Sequence, residues 1–288
     1  MIDAVLILRY AAPIAFAAVG ETASQRAGMI NIGLEGTMLT SAFVATKVSL
    51  ATGSPWVGII VGAVAGLILA LLTGVLTIRM QQDQVVVGTA VNLLCFGLCG
   101  MLFERWNGAT GQLLSLPPLP KFAGGLDVVL LLLVVSAVAI SFALFRTEWG
   151  LRARAAGEYP ASLEAAGYSV IRTQFQALLI SGLMAGLGGA YYAIGVAGSF
   201  APDMISGRGF MAIAIVTFAR WKPIWGLLSA CLVGYFESLQ YQLQMTHQDI
   251  PKSLLIALPY AATLLILVFS GRSSNAPAAL GQPYRGMR

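Results

Sequence analysis

Charge is scarce in this sequence. Only 17 basic and 12 acidic side chains are spread over 288 residues, a share of 10% where soluble domains carry about a quarter. So little charge excludes an ordinary soluble enzyme and a disordered chain. Histidine occurs once, at His247, and cysteine three times, at Cys95, Cys99 and Cys231. Too few cysteines remain for a disulfide scaffold. Cys95 and Cys99 share a helix face, but without neighbouring ligands they read as small packing residues, and no metal site is expected. Period-two alternation is missing, which excludes a membrane β-barrel. No G-x-x-x-x-G-K-[ST] phosphate loop occurs, so the chain has no cradle of that kind for ATP. No histidine cluster or nucleophile–base pair marks a catalytic site, and none is expected. A cleavable leader is not expected either, because Asp3 and Arg9 interrupt the first apolar stretch.

What is present is apolar. Hydrophobic residues make up 58% of the chain, and mean hydropathy is +0.81. Charge-free runs cover 48–78, 84–103, 128–145, 173–202 and 253–271, each long enough to cross about 30 Å of hydrocarbon as a helix. The expected fold is an all-α polytopic membrane protein, one transmembrane domain over 1–288, whose first partner is the lipid bilayer. Nine segments are predicted, at about 4–20, 29–50, 55–79, 84–104, 126–146, 172–197, 205–219, 223–243 and 252–270. The longest polar connection, 147–172, is placed in the cytoplasm. Eleven basic residues then fall inside (Arg26, Arg79, Arg146, Arg152, Arg154, Arg172, Arg220, Lys222, Arg272, Arg285 and Arg288). Five fall outside (Lys47, Arg105, Lys121, Arg208 and Lys252). That bias is the positive-inside pattern. It puts the N-terminus outside and the basic tail, 271–288, inside, and it accounts for the net charge of +5 without nucleic acid.

A shift of 168 residues lays segments 1–4 (4–104) on segments 6–9 (172–270) and leaves segment 5 unmatched. Pro55 then meets Pro223, Gly58 meets Gly226 and Gly66 meets Gly234. The odd fifth crossing makes paired segments run in opposite directions, an inverted repeat of the kind that places a transport path between its halves. The repeat also pairs two irregular stretches, 28–36 and 198–209, both rich in glycine and polar residues. Broken backbone at membrane depth needs protein or a water-filled cavity to satisfy it, so these stretches are candidates for the path. Glycines at 58, 62 and 66 and at 182 and 186 read as helix-packing faces.

Two carboxylates, Glu35 and Glu237, are predicted within spans, where ionised groups face a bundle interior or cavity. Three roles are open to Glu35: lining the path, holding a structural partner, or coupling to protons. Glu237 shares a face with Gln240 and is open to a structural or path role. Asn31 and Asn92 could hydrogen-bond either a purine or pyrimidine edge or a neighbouring helix. In the long cytoplasmic connection, 157–167 reads as one short helix, with Pro160 in its first turn, Glu158 near its positive end and Gly167 at its close.

Several stretches resemble permease subunits of ATP-binding-cassette importers, in the superfamily serving branched-chain amino acids and simple sugars, and most of all the nucleoside type. RAGMINIGLEG (26–36) is similar to that group's ERAGVINIGLEG, and QVVVGTAVNLL (84–94) to its VVSGTAINLL. GRGFMAIAIV (207–216) with RWKP (220–223) resembles RGFIALAAVIFGRWNP, and the pairing of Ile250-Pro251 with Ala257-Leu-Pro-Tyr260 resembles its last span. Ala219 and Lys222 depart from the pattern at one cytoplasmic turn. The resemblance covers about 12–270. It implies separate ATPase subunits that bind the ATP, with no cofactor held in this chain. It also implies a second permease chain, identical or related, an external substrate-binding protein, and residence in a bacterial plasma (inner) membrane. It implies that 147–172 docks on the ATPase, which assigns Gly157, Glu158, Pro160, Glu164 and Gly167 to coupling. The expected path residues are Asn31, Glu35, Asn92, Glu237 and Gln240. The alternatives are a permease for simple sugars or branched-chain amino acids and, in another class, an ion-coupled secondary transporter.

Overall fold

The computed structural model describes residues 4–107, 116–122, 125–246, 251–270, 276–284 and 286. His247, Arg272, Arg285 and Arg288, which the sequence places in a loop and in the tail, lie outside the described residues. Eleven helices are described, α1 (Ala4–Arg26), α2 (Leu34–Thr52), α3 (Pro55–Gly74), α4 (Gln84–Asn107), α5 (Val128–Arg146), α6 (Glu148–Glu158), α7 (Pro160–Ala165), α8 (Val170–Tyr191), α9 (Arg208–Phe218), α10 (Pro223–Thr246) and α11 (Lys252–Ser270). Wider π-helical turns extend α3 over Val75–Arg79 and α8 over Tyr192–Ala197. Local chemistry sets many of the ends. Asp127, Thr147 and Ser169 each accept a backbone N–H at the start of α5, α6 and α8, which satisfies donors that a helix leaves unpaired. Pro55 and Pro160 open α3 and α7, where a missing N–H costs nothing.

The chain is an all-α polytopic membrane protein. Among the described residues, five helices are long and apolar enough to cross a bilayer: α1, α3 and α8 with their π turns where present, α4 and α5. Outward faces such as Ile60, Val64 and Ile68 on α3 are exposed at helical spacing, as a lipid-facing stripe requires. Three sequence expectations need correction. The first segment does not stop at 20 but runs to Arg26, so Glu21 is a fully buried helical residue rather than a loop charge. Arg208 is likewise buried in the protein, at the start of α9, and is not a surface marker of orientation. The expected single helix 157–167 is two: Glu158 ends α6 instead of opening a helix, and α7 begins at Pro160.

The inverted repeat is visible in the packing. α1 and its mate α8 cross antiparallel at the centre, and each also packs on the third helix of the other half, α1 on α10 and α8 on α3. The crossing points fall on glycines related by the same 168-residue shift. A methyl group on Gly20 would sit 2.5 Å from Cβ of Met184, and one on its counterpart Gly188 would sit 3.3 Å from Cβ of Phe16. Phe16 and Met184 are themselves repeat mates. Gly66 lies against Gly182 and Gly186 of α8, and its mate Gly234 lies 2.6 Å by the same measure from Cβ of Ala11 on α1. Side chains at these positions would push the helices apart. Replacing Gly66 or Gly188 by leucine is therefore expected to destabilise the solubilised protein by about 1–3 kcal/mol through overpacking. Gly97 has open space around its Cβ position, and Gly97→Ala should hold or slightly raise the melting temperature, since alanine is the better helix former. Thermal unfolding followed by size-exclusion fluorescence checks both.

Candidate functional site

The two irregular stretches meet. Residues 27–33 lead into α2, and 198–207 lead into α9 through turns with positive φ at Gly198, Ser206 and Gly207. The N-termini of α2 and α9 touch: a methyl on Gly209 would stand 2.5 Å from the backbone nitrogen of Glu35. From this shared point α9 runs only 11 residues, a rise of about 16 Å or half the hydrocarbon core, whereas α2 runs 19.

Glu35 joins the two ends. One oxygen accepts the N–H of Gly207 at 2.5 Å, and the other accepts that of Gly209 at 2.7 Å. The carboxylate thus caps α9 from the first turn of α2, and its negative charge sits on two helix N-termini that each carry about half a positive charge. Arg208 would be disfavoured at such an end, and Glu237 on α10 offsets it. Arg208 Nε lies 3.1 Å from Glu237 Oε1, while Nη1 donates to the carbonyls of Met204 and Ile205. The guanidinium also lies over the ring of Tyr192 at 4.3 Å. Two carboxylates, one guanidinium and two helix ends sum to about zero. The centre is polar and close to neutral.

Beside it lies a cavity of about 300 Å³ between the ends of α8, α9, α10 and α11. Tyr192, Arg208, Glu237, Gln240, Tyr241 and Tyr260 line it. Tyr260 donates to the carbonyl of Ser206 and so braces the turn before α9. Of the five expected path residues, the structure brings Glu35, Glu237 and Gln240 to this region. Asn31 and Asn92 belong to a second group around 27–36. There Asn92 accepts the N–H of Gly36 at 2.8 Å and donates to the carbonyl of Ile32 at 2.9 Å. Gln84 accepts the N–H of Ile30 at 2.7 Å. Asn31 gives its backbone N–H to Glu21 at 3.0 Å.

Glu21 was missed by sequence reasoning. Its carboxylate also accepts from Gln25 at 3.1 Å and from Ser181 on α8 at 2.8 Å, and Gln25 accepts from Trp221 at 2.8 Å. The usable signal was its position: it stands five residues before Arg26, still within the helical period of the first apolar run.

The five residues assigned to coupling lie on α6, α7 and the turn after them. Gly157 packs on the carbonyl of Arg26 without room for a side chain, and Glu158 faces Arg26 at 3.9 Å. Pro160 is the first residue of α7, and Gly167 closes it with φ +83°. The tail folds back on this region. Ala279 donates to Gly157 at 2.8 Å, Gly281 donates to Gly28 at 3.0 Å, and Tyr284 bonds Glu164. α6, α7, the tail and the 27–33 break are thus connected by direct contacts.

Among the described residues no cluster of three or more His, Cys, Asp or Glu could hold a metal ion. Removing the Glu35 acceptor strands two N–H groups, that of Gly209 buried and that of Gly207 partly so, at about 1–3 kcal/mol each. Glu35→Ala should therefore lower stability by about 2–6 kcal/mol and Glu35→Gln by about half of that, since one carbonyl acceptor survives. Thermal unfolding checks the order, and a Gln variant less stable than the Ala variant would contradict the capping role.

Residues 4–269 match the family described as the permease component of branched-chain amino acid transport systems. The guanosine ABC transporter permease protein NupQ of Bacillus subtilis is 34% identical over 301 residues, covering 96% of this chain and 94% of that one. The nucleoside ABC transporter permease protein NupC of Lactococcus lactis is 32% identical over 303 residues, covering 96% and 95%. The putative glucose ABC transporter permease protein TsgC13 of Haloferax volcanii is 33% identical over 243 residues, covering 79% and 73%. With the family matched over nearly its whole length and its helices folded around two facing broken segments, this chain belongs to the permease-component family of branched-chain amino acid transport systems, as a multi-pass protein of the bacterial inner membrane.

Proposed function

We propose that this chain is the translocating subunit of an ATP-driven importer of nucleosides. The observation that carries the substrate class is the similarity, over more than nine-tenths of the chain, to permeases for guanosine and for nucleosides. The near-neutral polar centre supports it, because a nucleoside is an uncharged polar cargo that fixed net charge would not favour. ATP is bound and hydrolysed by a separate subunit, since the sequence has no phosphate loop. No cofactor is needed in this chain. A second permease chain completes the path, and an external binding protein delivers the substrate.

In this reading the ATPase docks on α6 and α7 through the surface of Gly157, Glu158, Pro160, Glu164 and Gly167. A push there reaches the 27–33 break by two short routes. One is the contact of Gly157 and Glu158 with Arg26; the other is the tail, bonded both to Gly157 and to Gly28. The break leads directly to Glu35 and the start of α9. Asn31, Glu35, Asn92, Glu237 and Gln240 then hold or border the path, with Asn92 supporting broken backbone, Asn31 reaching Ser181 on α8, and Glu237 and Gln240 facing the cavity.

Two outcomes test this. Proteoliposomes holding the permeases and ATPase with the binding protein should take up nucleoside only with ATP. Uptake that follows a proton gradient without ATP would contradict the reading and favour an ion-coupled carrier. Replacing 157–167 by a flexible polar linker should leave the protein in the membrane but remove transport while ATPase activity continues. Transport at the original rate would refute the coupling assignment.

A further inference from the structure

We propose that the cavity beside the Arg208–Glu237 pair is a nucleoside subsite in the permease itself, which reads the lactam edge of the base, an N–H next to a C=O. The inference rests on the nucleoside reading above and specifies it. Three observations meet here. The first is an unused hydrogen-bonding pair at the floor. Glu237 is 2% exposed and its Oε2 has no hydrogen-bond partner; Arg208 is 7% exposed, and its Nε, though 3.1 Å from Oε1, is not aligned for a hydrogen bond. Unsatisfied buried polar atoms are rare and ask for an explanation. A bound ligand that donates to the carboxylate and accepts from the guanidinium supplies it.

The second observation is the shape and lining. About 300 Å³ lies at the small end of ligand sites, about 300–1,000 Å³, and suits one nucleoside. Tyr241 is stacked on Tyr10 with ring centroids 4.9 Å apart and stays 37% exposed, so a fixed aromatic surface borders the cavity. Bases stack on such surfaces regardless of their identity. Gln240, with both amide donor and acceptor, is placed for ribose hydroxyls. The third is location. The cavity lies toward the last turns of α10 and the first turns of α11, the side that the basic-residue bias assigns to the outside and from which a delivered substrate arrives.

The pairing chemistry selects the edge. A carboxylate beside a guanidinium presents an acceptor next to a donor, both charged. Its best uncharged complement is an acidic ring N–H beside a carbonyl oxygen, as in uracil, hypoxanthine and guanine, because hydrogen bonds to ionised groups are about twice as strong as neutral ones. Methylating that ring nitrogen removes the donor and leaves Glu237 unpaired under the ligand.

The experiment uses the assembled permease–ATPase complex in nanodiscs without the binding protein, and measures equilibrium binding of radiolabelled uridine and inosine against 3-methyluridine and 1-methylinosine. Uptake of uridine and inosine by the complete transporter is measured in parallel. The methylated nucleosides are expected to bind about tenfold or more weakly. Glu237→Gln should remove most of that difference, and Tyr241→Leu should weaken all four ligands together. Equal binding of methylated and unmethylated nucleosides overturns the subsite while the nucleoside reading stands. So does transport of uridine and inosine with no binding to the complex up to millimolar concentration. If the complete transporter carries ribose or glucose and no nucleoside, the nucleoside reading itself fails and the subsite with it.

Discussion

The carboxylate of Glu35 is the hinge of this structure. It belongs to the first half of the repeat by sequence and to the second half by bonding, since both its oxygens accept backbone N–H groups at the start of α9. Two helix ends of like polarity would repel one another inside a membrane. A carboxylate between them turns that repulsion into an attraction and also satisfies donors that lipid could not. Arg208 and Glu237 extend the same balance, so the charges at the centre cancel among side chains and helix dipoles.

Around this point the protein acts as its own solvent. Glu21, Gln84 and Asn92 take up the hydrogen-bonding groups of residues 30–36 that a continuous helix would have paired internally. Asn92 spends both ends of its amide on backbone, which is why it reads as a support. Gly28, just before this stretch, is touched by Gly157 and by Gly281 of the tail, and Glu158 faces Arg26. The α6–α7 region and the broken stretch are therefore joined by direct contacts.

Much of this was legible in the sequence, for a simple reason: long uncharged runs in a charge-poor chain have few solutions. Segments 55–79, 84–104 and 252–270 agree with the helices to within a few residues, and Pro55 and Pro160 mark true starts. Gly66 and Gly234 were visible as repeat mates, and the structure adds Gly20 and Gly188. Where the reading failed, it failed on charge. Glu21 fell just past the predicted end of the first segment and Arg208 was counted as an outer charge at the start of the seventh, yet each is buried against specific partners, and only tertiary contacts decide that. The split of 157–167 was missed because Tyr159, the break between α6 and α7, carries no strong stop signal, although Thr147 was a readable N-cap for α6. Of the candidate residues, the sequence grouped Glu237 with Gln240 correctly by helical spacing. It had no means of pairing Glu237 with Arg208 across two helices.

An import path needs the centre where the two broken segments meet to be reached from outside, here through the cavity at α10 and α11. Accessibility of Gln244, which lines that cavity, tests it most directly. In a transporter lacking Cys95, Cys99 and Cys231, a cysteine introduced by Gln244→Cys would be treated with a membrane-impermeant maleimide in whole cells and in inverted vesicles. Labelling is expected in whole cells, slowed by added substrate and by trapping the ATP-bound state, and none in inverted vesicles. Labelling only in inverted vesicles, or labelling indifferent to substrate and nucleotide, would contradict this route.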